Sequence, residues 1–337
     1  MQSAAFLSYY ADLQADNVPA EGHASLKTAD ERAERGGAHD MKTTRSRAEG
    51  LAAGLGAHLL WGGAVLFWPL LGYMHPLSLL SQRMVWTCAF ILLVLAASGG
   101  IEAIKGVLRD PGKLLFLIAS AATLALNWGV YLWSVTHSHV IDTSLGYYIT
   151  PLLNILMGRF LLGERMSRIQ WLAVGMAGFA VAVAAALYGT FPVLGIGVAV
   201  TFAMYGFFHK ISPLDPDVSL GGETMIMLPF AIGWLVYNDP GTFGLFGLGN
   251  MHVLLLACTI FFTGIPLLLF GQATHSLSLG AIGILQYSSP TISFLIALLL
   301  QGETMTPANM IMYPIVVAAV ALYMWDALRF LSAVSRT

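Results

Sequence analysis

The side chains of this chain that could bind a small molecule lie within long apolar segments. Asn127 is followed closely by Trp128 and Tyr131, and Asn154 lies about one helical turn after Pro151. An amide both donates and accepts hydrogen bonds, and aromatic rings offer flat apolar faces. This combination favours binding of a neutral or zwitterionic organic molecule, whereas a hydrogen bond between helices is the alternative role for such an amide. The predicted lining of a binding cavity consists of His58, Trp61, Asn127, Tyr131, Asn154, Tyr205, Gln286 and Tyr287.

Two charged side chains, Arg83 and Asp142, also fall within apolar segments. A charge in lipid is costly and usually faces a cavity or a partner. We predict that the two are neighbours on the outer side of the cavity, where they act as a gate or as a clamp for a substrate carboxylate. A fixed structural ion pair, or an arginine that extends to the interface, is the alternative.

Pro151 and Pro290 are predicted hinges. Each removes a backbone N–H inside an apolar segment, so a carbonyl one turn earlier loses its helical partner. Both prolines end the pattern Tyr-x-x-Pro. The repeated position favours a mechanical role over a static kink.

The composition indicates a membrane protein. The chain is 57% hydrophobic and 10% charged, whereas soluble domains contain about 25% charged residues. Residues 1–48 differ, because they are rich in charge and contain no apolar run. They predict a disordered polar tail and not a signal peptide, with Met41 as a candidate natural start.

Ten apolar segments of about 20 residues, the length that spans a bilayer, follow Gly50. Lys and Arg occur in alternate loops, and cytoplasmic loops carry the positive charge. This asymmetry predicts an integral inner-membrane protein with both termini in the cytoplasm. The segments run near residues 50–70, 77–98, 114–135, 140–162, 168–188, 193–211, 222–238, 252–271, 278–300 and 308–328.

The chain contains an internal repeat. Tyr148 begins a Tyr-x-x-Pro motif that is followed by an apolar run ending at Gly-Glu164, and Tyr287 begins a second copy that ends at Gly-Glu303 with the same spacing. Each half holds five spans, so the halves must have opposite orientations. We predict an all-α membrane protein with ten transmembrane helices in two inverted five-helix repeats. The predicted parts are a tail (1–48), a first repeat (49–188), a second repeat (192–328) and a short cytoplasmic tail (329–337).

Several of these stretches together resemble the RarD family, the chloramphenicol-sensitive proteins of the EamA-type drug/metabolite transporter superfamily. The resemblance spans about residues 50–328 and implies a ten-helix inner-membrane carrier with both termini cytoplasmic. The polar tail departs from the family pattern. The matching stretches are Asn127-Trp128, Ser144–Asn154, Gly163-Glu164-Arg165, Gln170–Val174, Gly222-Glu223-Thr224, Gln286-Tyr287, Pro290 and Gly302-Glu303.

The sequence therefore predicts a secondary transporter for a small organic metabolite or drug-like molecule, working by alternating access, and no enzyme. An integral-membrane lipid-modifying enzyme and a channel-like protein are the alternatives, but the acidic residues are scattered and the polar residues form no continuous stripe. Proton coupling, which would need Asp142, Glu223 or a histidine, stays open beside exchange and uniport.

No cofactor, metal or nucleic-acid partner is predicted; the expected partners are the substrate and the lipid bilayer, with the oligomeric state open. The chain has no phosphate-binding glycine loop. His137 and His139 lack a third ligand at metal-binding spacing.

Overall fold

The computed structural model describes residues 47–137, 140–189, 191–243, 249–300 and 306–334. The predicted tail up to residue 46, His139 and Glu303 lie outside these residues, as does the side chain of Asp142. The described part of Arg47–Thr337 belongs to one compact unit.

Helices form all the regular secondary structure of the described residues, which confirms the all-α prediction. Short 3-10 turns, Ala64–Leu66 and Trp68–Leu71, follow the first helix. In chain order the helices are α1 (residues 47–63), α2 (Pro76–Ser98), α3 (Ile101–Arg109), α4 (Pro111–Thr136), α5 (Val140–Leu161), α6 (Arg168–Tyr188), α7 (Val193–Ile211), α8 (Pro216–Asn238), α9 (Asn250–Phe262), α10 (Gly264–Ser276), α11 (Leu279–Gln286), α12 (Ser288–Leu300) and α13 (Pro307–Val334), with a single turn at Pro240–Phe243.

Within the described ranges, seven helical segments are long and apolar enough to cross a membrane, judged by length and composition. Two of them combine consecutive helices, α9 with α10 and α11 with α12. A shorter apolar helix covers Met310–Asp326. The seven are Pro76–Ser98, Pro111–Ser134, Arg168–Tyr188, Val193–Ile211, Pro216–Asn238, Met251–Ser276 and Leu279–Leu300.

Local sequence signals set several helix ends. His75 caps α2, since its side chain accepts a hydrogen bond from the N–H of Leu77. Ser167 and Gln170 form a reciprocal capping box at the start of α6, and Gly189 ends that helix with φ 71°. Such caps satisfy N–H and C=O groups that the helix itself leaves unpaired.

The loop that was predicted after the second span contains an additional helix, α3. Its Ile104 and Val107 are buried, and α3 packs against α8. Their i, i+3 spacing places both side chains on one helical face. The surrounding basic residues made this segment resemble a plain cytoplasmic loop.

Helices that are far apart in the sequence pack closely. α5 contacts α7 and α11, α2 contacts α8, and α6 contacts α13. A Cβ atom added to Gly146 of α5 would lie only 2.5 Å from the carbonyl oxygen of Gly195 in α7. Small residues allow such close backbone approach between membrane helices, so α7 is held directly against α5.

Candidate functional site

Five ring-bearing side chains from three helices form an aromatic cluster near the centre of the unit: His58, Trp61, Phe202, Tyr205 and Phe270. The ring centroids of His58 and Trp61 are 5.3 Å apart, and those of Trp61 and Phe270 are 5.8 Å apart. Tyr205 stacks on Phe270 at 6.0 Å with an interplanar angle of 11°. Three of the predicted lining residues therefore lie together, joined by Phe202 and Phe270, which the sequence analysis did not select.

Two more predicted lining residues, Asn154 and Gln286, form a buried amide pair. Nδ2 of Asn154 donates to Oε1 of Gln286 at 2.7 Å, which joins α5 to α11. Oδ1 of Asn154 is buried with no hydrogen-bond partner. A Cβ atom added to Gly206 would lie 3.5 Å from this oxygen and 3.3 Å from Phe270. The amide pair is therefore adjacent to the aromatic cluster.

The other predicted lining residues lie elsewhere. Nδ2 of Asn127 donates to the carbonyl oxygen of Val198 at 2.8 Å and to Thr201 at 3.1 Å. These bonds join α4 to α7, an interaction worth about 0.6–2 kcal/mol in membranes. The Tyr287 hydroxyl donates to the carbonyl oxygen of Tyr148 at 3.2 Å. The structure thus shows interhelical contacts for both residues, and their contact with substrate stays a prediction.

Tyr131 is the most exposed of the predicted lining residues that the structure describes, with 37% of its surface accessible. Its ring lies 6.3 Å from that of Tyr147. These two rings are not part of the aromatic cluster.

The Arg83 side chain contacts two tryptophan rings and a threonine that lies between α9 and α10. Its guanidinium carbon lies 4.5 Å from the ring centroid of Trp68 and 5.8 Å from that of Trp128. Its Nε donates to Oγ1 of Thr263 at 2.9 Å, where α9 ends and α10 begins. Cation–π contacts contribute about 2 kcal/mol when desolvated. The backbone of Asp142 lies in α5, but its side chain is outside the described residues. The Arg83–Asp142 pair therefore stays a prediction.

A buried carboxylate network adjoins the aromatic cluster. Its acid is Glu223, which the sequence analysis named as one candidate for proton coupling but did not place in the binding cavity. Glu223 of α8 is fully buried. Its Oε1 accepts a hydrogen bond from Ser120 at 2.6 Å and lies within hydrogen-bond distance, 2.9 Å, of Nε2 of His209, and its Oε2 accepts one from Tyr205 at 3.2 Å. Tyr205 belongs to both groups. A lone Glu within a predicted span was the available signal, because a charge inside an apolar helix requires partners.

Glu164 also makes a contact between segments distant in the sequence, at the end of the unit that is predicted to be cytoplasmic. Its two carboxylate oxygens accept hydrogen bonds from the backbone N–H groups of Leu279 at 2.7 Å and Gly280 at 3.0 Å. The carboxylate therefore caps the first turn of α11, where negative charge is favoured. Nearby, Nζ of Lys210 donates to the carbonyl oxygen of Leu277 at 2.7 Å. A sequence reading of Gly-Glu as a helix boundary could not identify the helix that it caps.

The described residues contain no group of three His, Cys, Asp or Glu side chains that could hold a metal ion. The central groups instead combine aromatic faces, two amides and one buried carboxylate–imidazole pair. Such polar points among apolar helices are typical of multi-pass membrane transporters.

Comparison with known sequences gives the family. The sequence profile of the EamA-like transporter family matches residues 48–186. Protein RarD of Streptomyces exfoliatus is 40% identical over 292 residues, which cover 86% of this chain and 92% of that protein. Protein RarD of Escherichia coli K12 is 32% identical over 290 residues, covering 86% and 97%. This chain belongs to the RarD family of EamA-like transporters and is a multi-pass membrane protein, as the resemblance in the sequence predicted.

A further relative and a solved structure also resemble this chain. An uncharacterized transporter of Vibrio cholerae is 32% identical over 282 residues, which cover 83% of this chain and 93% of that protein. A solved crystal structure superposes with a TM-score of 0.66 at 20% identity, covering 84% of this chain and 99% of the other. At that identity the structural likeness shows the fold alone.

Proposed function

We propose that this protein is a secondary transporter that moves a small organic metabolite or drug-like molecule across the inner membrane by alternating access. The observation that carries the proposal is the amide pair of Asn154 and Gln286 beside the aromatic cluster. The two amides come from the two copies of the repeated motif region, so the site lies where the proposed halves meet. Transporters with internal repeats bind substrate at such an interface.

The chemistry of this site favours an amphipathic substrate that is neutral or zwitterionic. The unpartnered Oδ1 of Asn154 is an acceptor that a substrate N–H or O–H would satisfy, since a buried polar atom without a partner is costly. The rings of Trp61 and Phe270 would cover an apolar part of the substrate. Sugar phosphates would call for clustered Arg or Lys, which this cluster does not offer.

For the architecture we propose ten spans in two inverted five-helix repeats, 49–188 and 192–328. The seven apolar segments described above would be joined by α1 with its following 3-10 turns, by α5 and by α13. The stretch matched by the family profile, residues 48–186, supports the boundary of the first repeat. The repeated motif and the exchange of basic for uncharged loops support the inversion, with both termini cytoplasmic.

Alternating access requires that each end of the site can be closed. We propose that the end at Glu164 is closed in this structure, because its carboxylate ties the loop after α5 to the first turn of α11. Opening this end would separate Glu164 from Leu279 and Gly280. The motion would be a rocking of the two halves about the regions of Pro151 and Pro290.

At the opposite end we propose Arg83 and Asp142 as the gate or ion pair. The contacts of Arg83 with Trp68 and Thr263 hold its guanidinium in place. A fixed guanidinium could close the cavity or bind a substrate carboxylate.

The test is transport by the purified full-length chain in liposomes. The panel consists of labelled amino acids, related metabolites and chloramphenicol, the last because one relative is named chloramphenicol-sensitive protein RarD. We expect saturable counterflow of at least one probe. Gln286→Ala should raise the KM of that probe about tenfold, because one hydrogen bond to substrate contributes roughly 1.4 kcal/mol.

Asn238→Ala is the matched control, because it removes an amide at the exposed end of α8. It should leave KM unchanged. Absence of counterflow for the whole panel, or non-saturable flux typical of a channel, would contradict the proposal.

A further inference from the structure

The Glu223 network differs from the rest of the site because it holds two ionisable side chains with no contact to solvent. Glu223 is 0% and His209 is 1% exposed. They come from α8 and α7, and Ser120 comes from α4, so the network joins three helices. A buried ion pair usually adds little net stability, because desolvation offsets the Coulomb attraction. Its position beside the aromatic cluster suggests a role in transport.

The hydrogen bonds distinguish the roles of the two ionisable groups. Ser120 and Tyr205 donate to the Glu223 carboxylate, and Nε2 of His209 lies 2.9 Å from Oε1 of Glu223. An ionised carboxylate can only accept hydrogen bonds, which assigns the N–H to Nε2 of His209. With its Nε2–H bonded to Glu223, His209 has Nδ1 as its remaining ring nitrogen. Nδ1 is buried and has no partner. It is therefore the position where a further proton can bind.

A proton on Nδ1 of His209 would change the net charge of the buried Glu223–His209 pair. An ionised Glu223 beside a neutral imidazole has a net charge of about minus one in an apolar setting. One proton on Nδ1 gives an imidazolium and makes the pair neutral overall. The pair should therefore hold its proton while it is enclosed. It should release the proton when water or a substrate group of positive character stabilises the carboxylate instead.

The Glu223 network lies next to a small cleft on one side and next to the aromatic cluster on the other. The small cleft of about 10 Å³, room for roughly one water molecule, lies against His209 and Glu223 and is also lined by Ser212 and Ser219. Both serines are in or beside the α7–α8 loop, which is predicted to be cytoplasmic. On the other side, the Tyr205 ring stacks on Phe270 of the aromatic cluster. The pair thus lies between this small cleft and the proposed substrate site.

Other titratable groups surround the pair. His275 of α10 interacts electrostatically with His209, Lys210 and Asp215. From α2, Cys88 hydrogen-bonds to Thr224, the residue after Glu223. Lys210 is already bonded to the carbonyl oxygen of Leu277. Among these groups, His209 is the one that shares a hydrogen bond with a buried carboxylate.

We propose that Nδ1 of His209, balanced by the carboxylate of Glu223, binds the coupling proton of the transport cycle. Loading forms one N–H bond on the imidazole, and release returns the same proton to water, with no other bond changed. The α7–α8 cleft is the cytoplasmic route for this proton. The inference rests on the proposed transport function and identifies its coupling ion.

The proton site can be tested without a substrate. Purified chain carrying 15N-labelled histidine is titrated by NMR in lipid or detergent. We expect one imidazole resonance that changes protonation state with pH, is missing in His209→Gln and stays neutral in Glu223→Gln. The control His252→Gln, which changes an exposed histidine, should leave that resonance in place.

A His209 resonance that never protonates, or that titrates identically in Glu223→Gln, overturns the proposal. So does assignment of the titrating resonance to His275. If the two variants fail to fold, Ser120→Ala and Tyr205→Phe keep both ionisable groups and each removes one donor to the carboxylate. Each should move the midpoint of the His209 titration away from its wild-type value, because the carboxylate loses one hydrogen-bond donor. An unchanged midpoint in both overturns the proposal as well.

Coupling is then measured in the liposome assay with the probe that gives the largest counterflow. A pH gradient should stimulate uptake of that probe in one orientation and inhibit it in the other. Glu223→Gln and His209→Gln should lose this response at least fivefold while counterflow persists, whereas His252→Gln should keep it. Wild-type uptake that ignores the gradient overturns the coupling role. Absence of transport for every probe contradicts the proposed function instead, and the NMR result still decides the proton site.

Discussion

The segments that the proposed repeat would pair have different backbones. In the proposed first half, α4 and α5 are continuous, and α5 runs through Pro151. The segments paired with them in the proposed second half are both interrupted, at Thr263 between α9 and α10 and at Tyr287 between α11 and α12. The same Tyr-x-x-Pro motif thus lies in an unbroken helix in one copy and at a break in the other.

A residue at each break makes a hydrogen bond to the proposed first half. Nε of Arg83 in α2 donates to the Thr263 hydroxyl, and the Tyr287 hydroxyl donates to the carbonyl oxygen of Tyr148 in α5. Both bonds are made through side chains at the breaks, so they fix the position of each break against helices α2 and α5. We infer that the continuous helices form a scaffold, and that the interrupted ones are the parts that move during transport.

The largest expected effect on stability comes from removing the Arg83 side chain, which bonds to Thr263 between α9 and α10. Arg83→Ala loses one hydrogen bond and the contacts with Trp68 and Trp128. We expect the free energy of unfolding to fall by roughly 3 kcal/mol. Denaturant unfolding in mild detergent measures it, with Arg109→Ala, at the exposed end of α3, as the control. If Arg83→Ala and Arg109→Ala lose the same free energy of unfolding, the Arg83 contacts do not stabilise the region of Thr263.

The next effect concerns the other contact between the halves. Glu164→Ala removes the cap from the N–H groups of Leu279 and Gly280. The free energy of unfolding should fall by about 1–2 kcal/mol, the usual cost of a lost cap. Glu102→Ala, on the exposed surface of α3, is the matched control. If Glu164→Ala is as stable as that control, the cap does not join the halves.

A smaller effect is expected at the second break. Tyr287→Phe keeps the ring and loses only the hydrogen bond to Tyr148. The cost should be about 1 kcal/mol of unfolding free energy. Tyr237→Phe changes a tyrosine that is 88% exposed and should cost nothing measurable by the same unfolding method. A neutral Tyr287→Phe would show that the break is stable without its tie to the first half.

The smallest effect separates the two prolines. Pro290 lies just beyond the break at Tyr287, whereas Pro151 is embedded in continuous α5. Pro290→Ala should slow counterflow in liposomes about threefold, a change of less than 1 kcal/mol in the barrier. Pro151→Ala should slow it less. If Pro151→Ala slows counterflow more than Pro290→Ala, the hinge lies at Pro151, and the continuous helix α5 is the part that moves.

The sequence predicted the helical class, the family and several central residues because these depend on local signals. Apolar length, loop charge and the repeated motif are properties of short stretches. His58, Trp61 and Tyr205 were selected as isolated points in apolar segments, and the structure brings them together. The predicted Arg83–Asp142 pair stays a prediction, because the side chain of Asp142 is outside the described residues.

What the sequence missed depends on distant contacts. Phe202 and Phe270 resemble ordinary apolar residues until the packing of α7 against α10 brings them between Trp61 and Tyr205. Glu164 ended a predicted span and was interpreted as a boundary, whereas Glu223 was named as a candidate for proton coupling without its partners. Their partners, Leu279 for one and His209 for the other, are chosen by the fold. The residues at the helix breaks, Thr263 and Tyr287, likewise contact groups distant in the sequence, the Arg83 side chain and the Tyr148 carbonyl oxygen.

The central claim is that the amide pair between α5 and α11 binds substrate. A double-mutant cycle of Asn154→Ala and Gln286→Ala in the liposome counterflow assay tests it most directly. The account predicts that each single variant raises the KM about tenfold, and that the double variant is little worse than either one, because the two amides act as a unit. A KM that is unchanged in all three variants, while the protein stays folded and transports the probe, would contradict it.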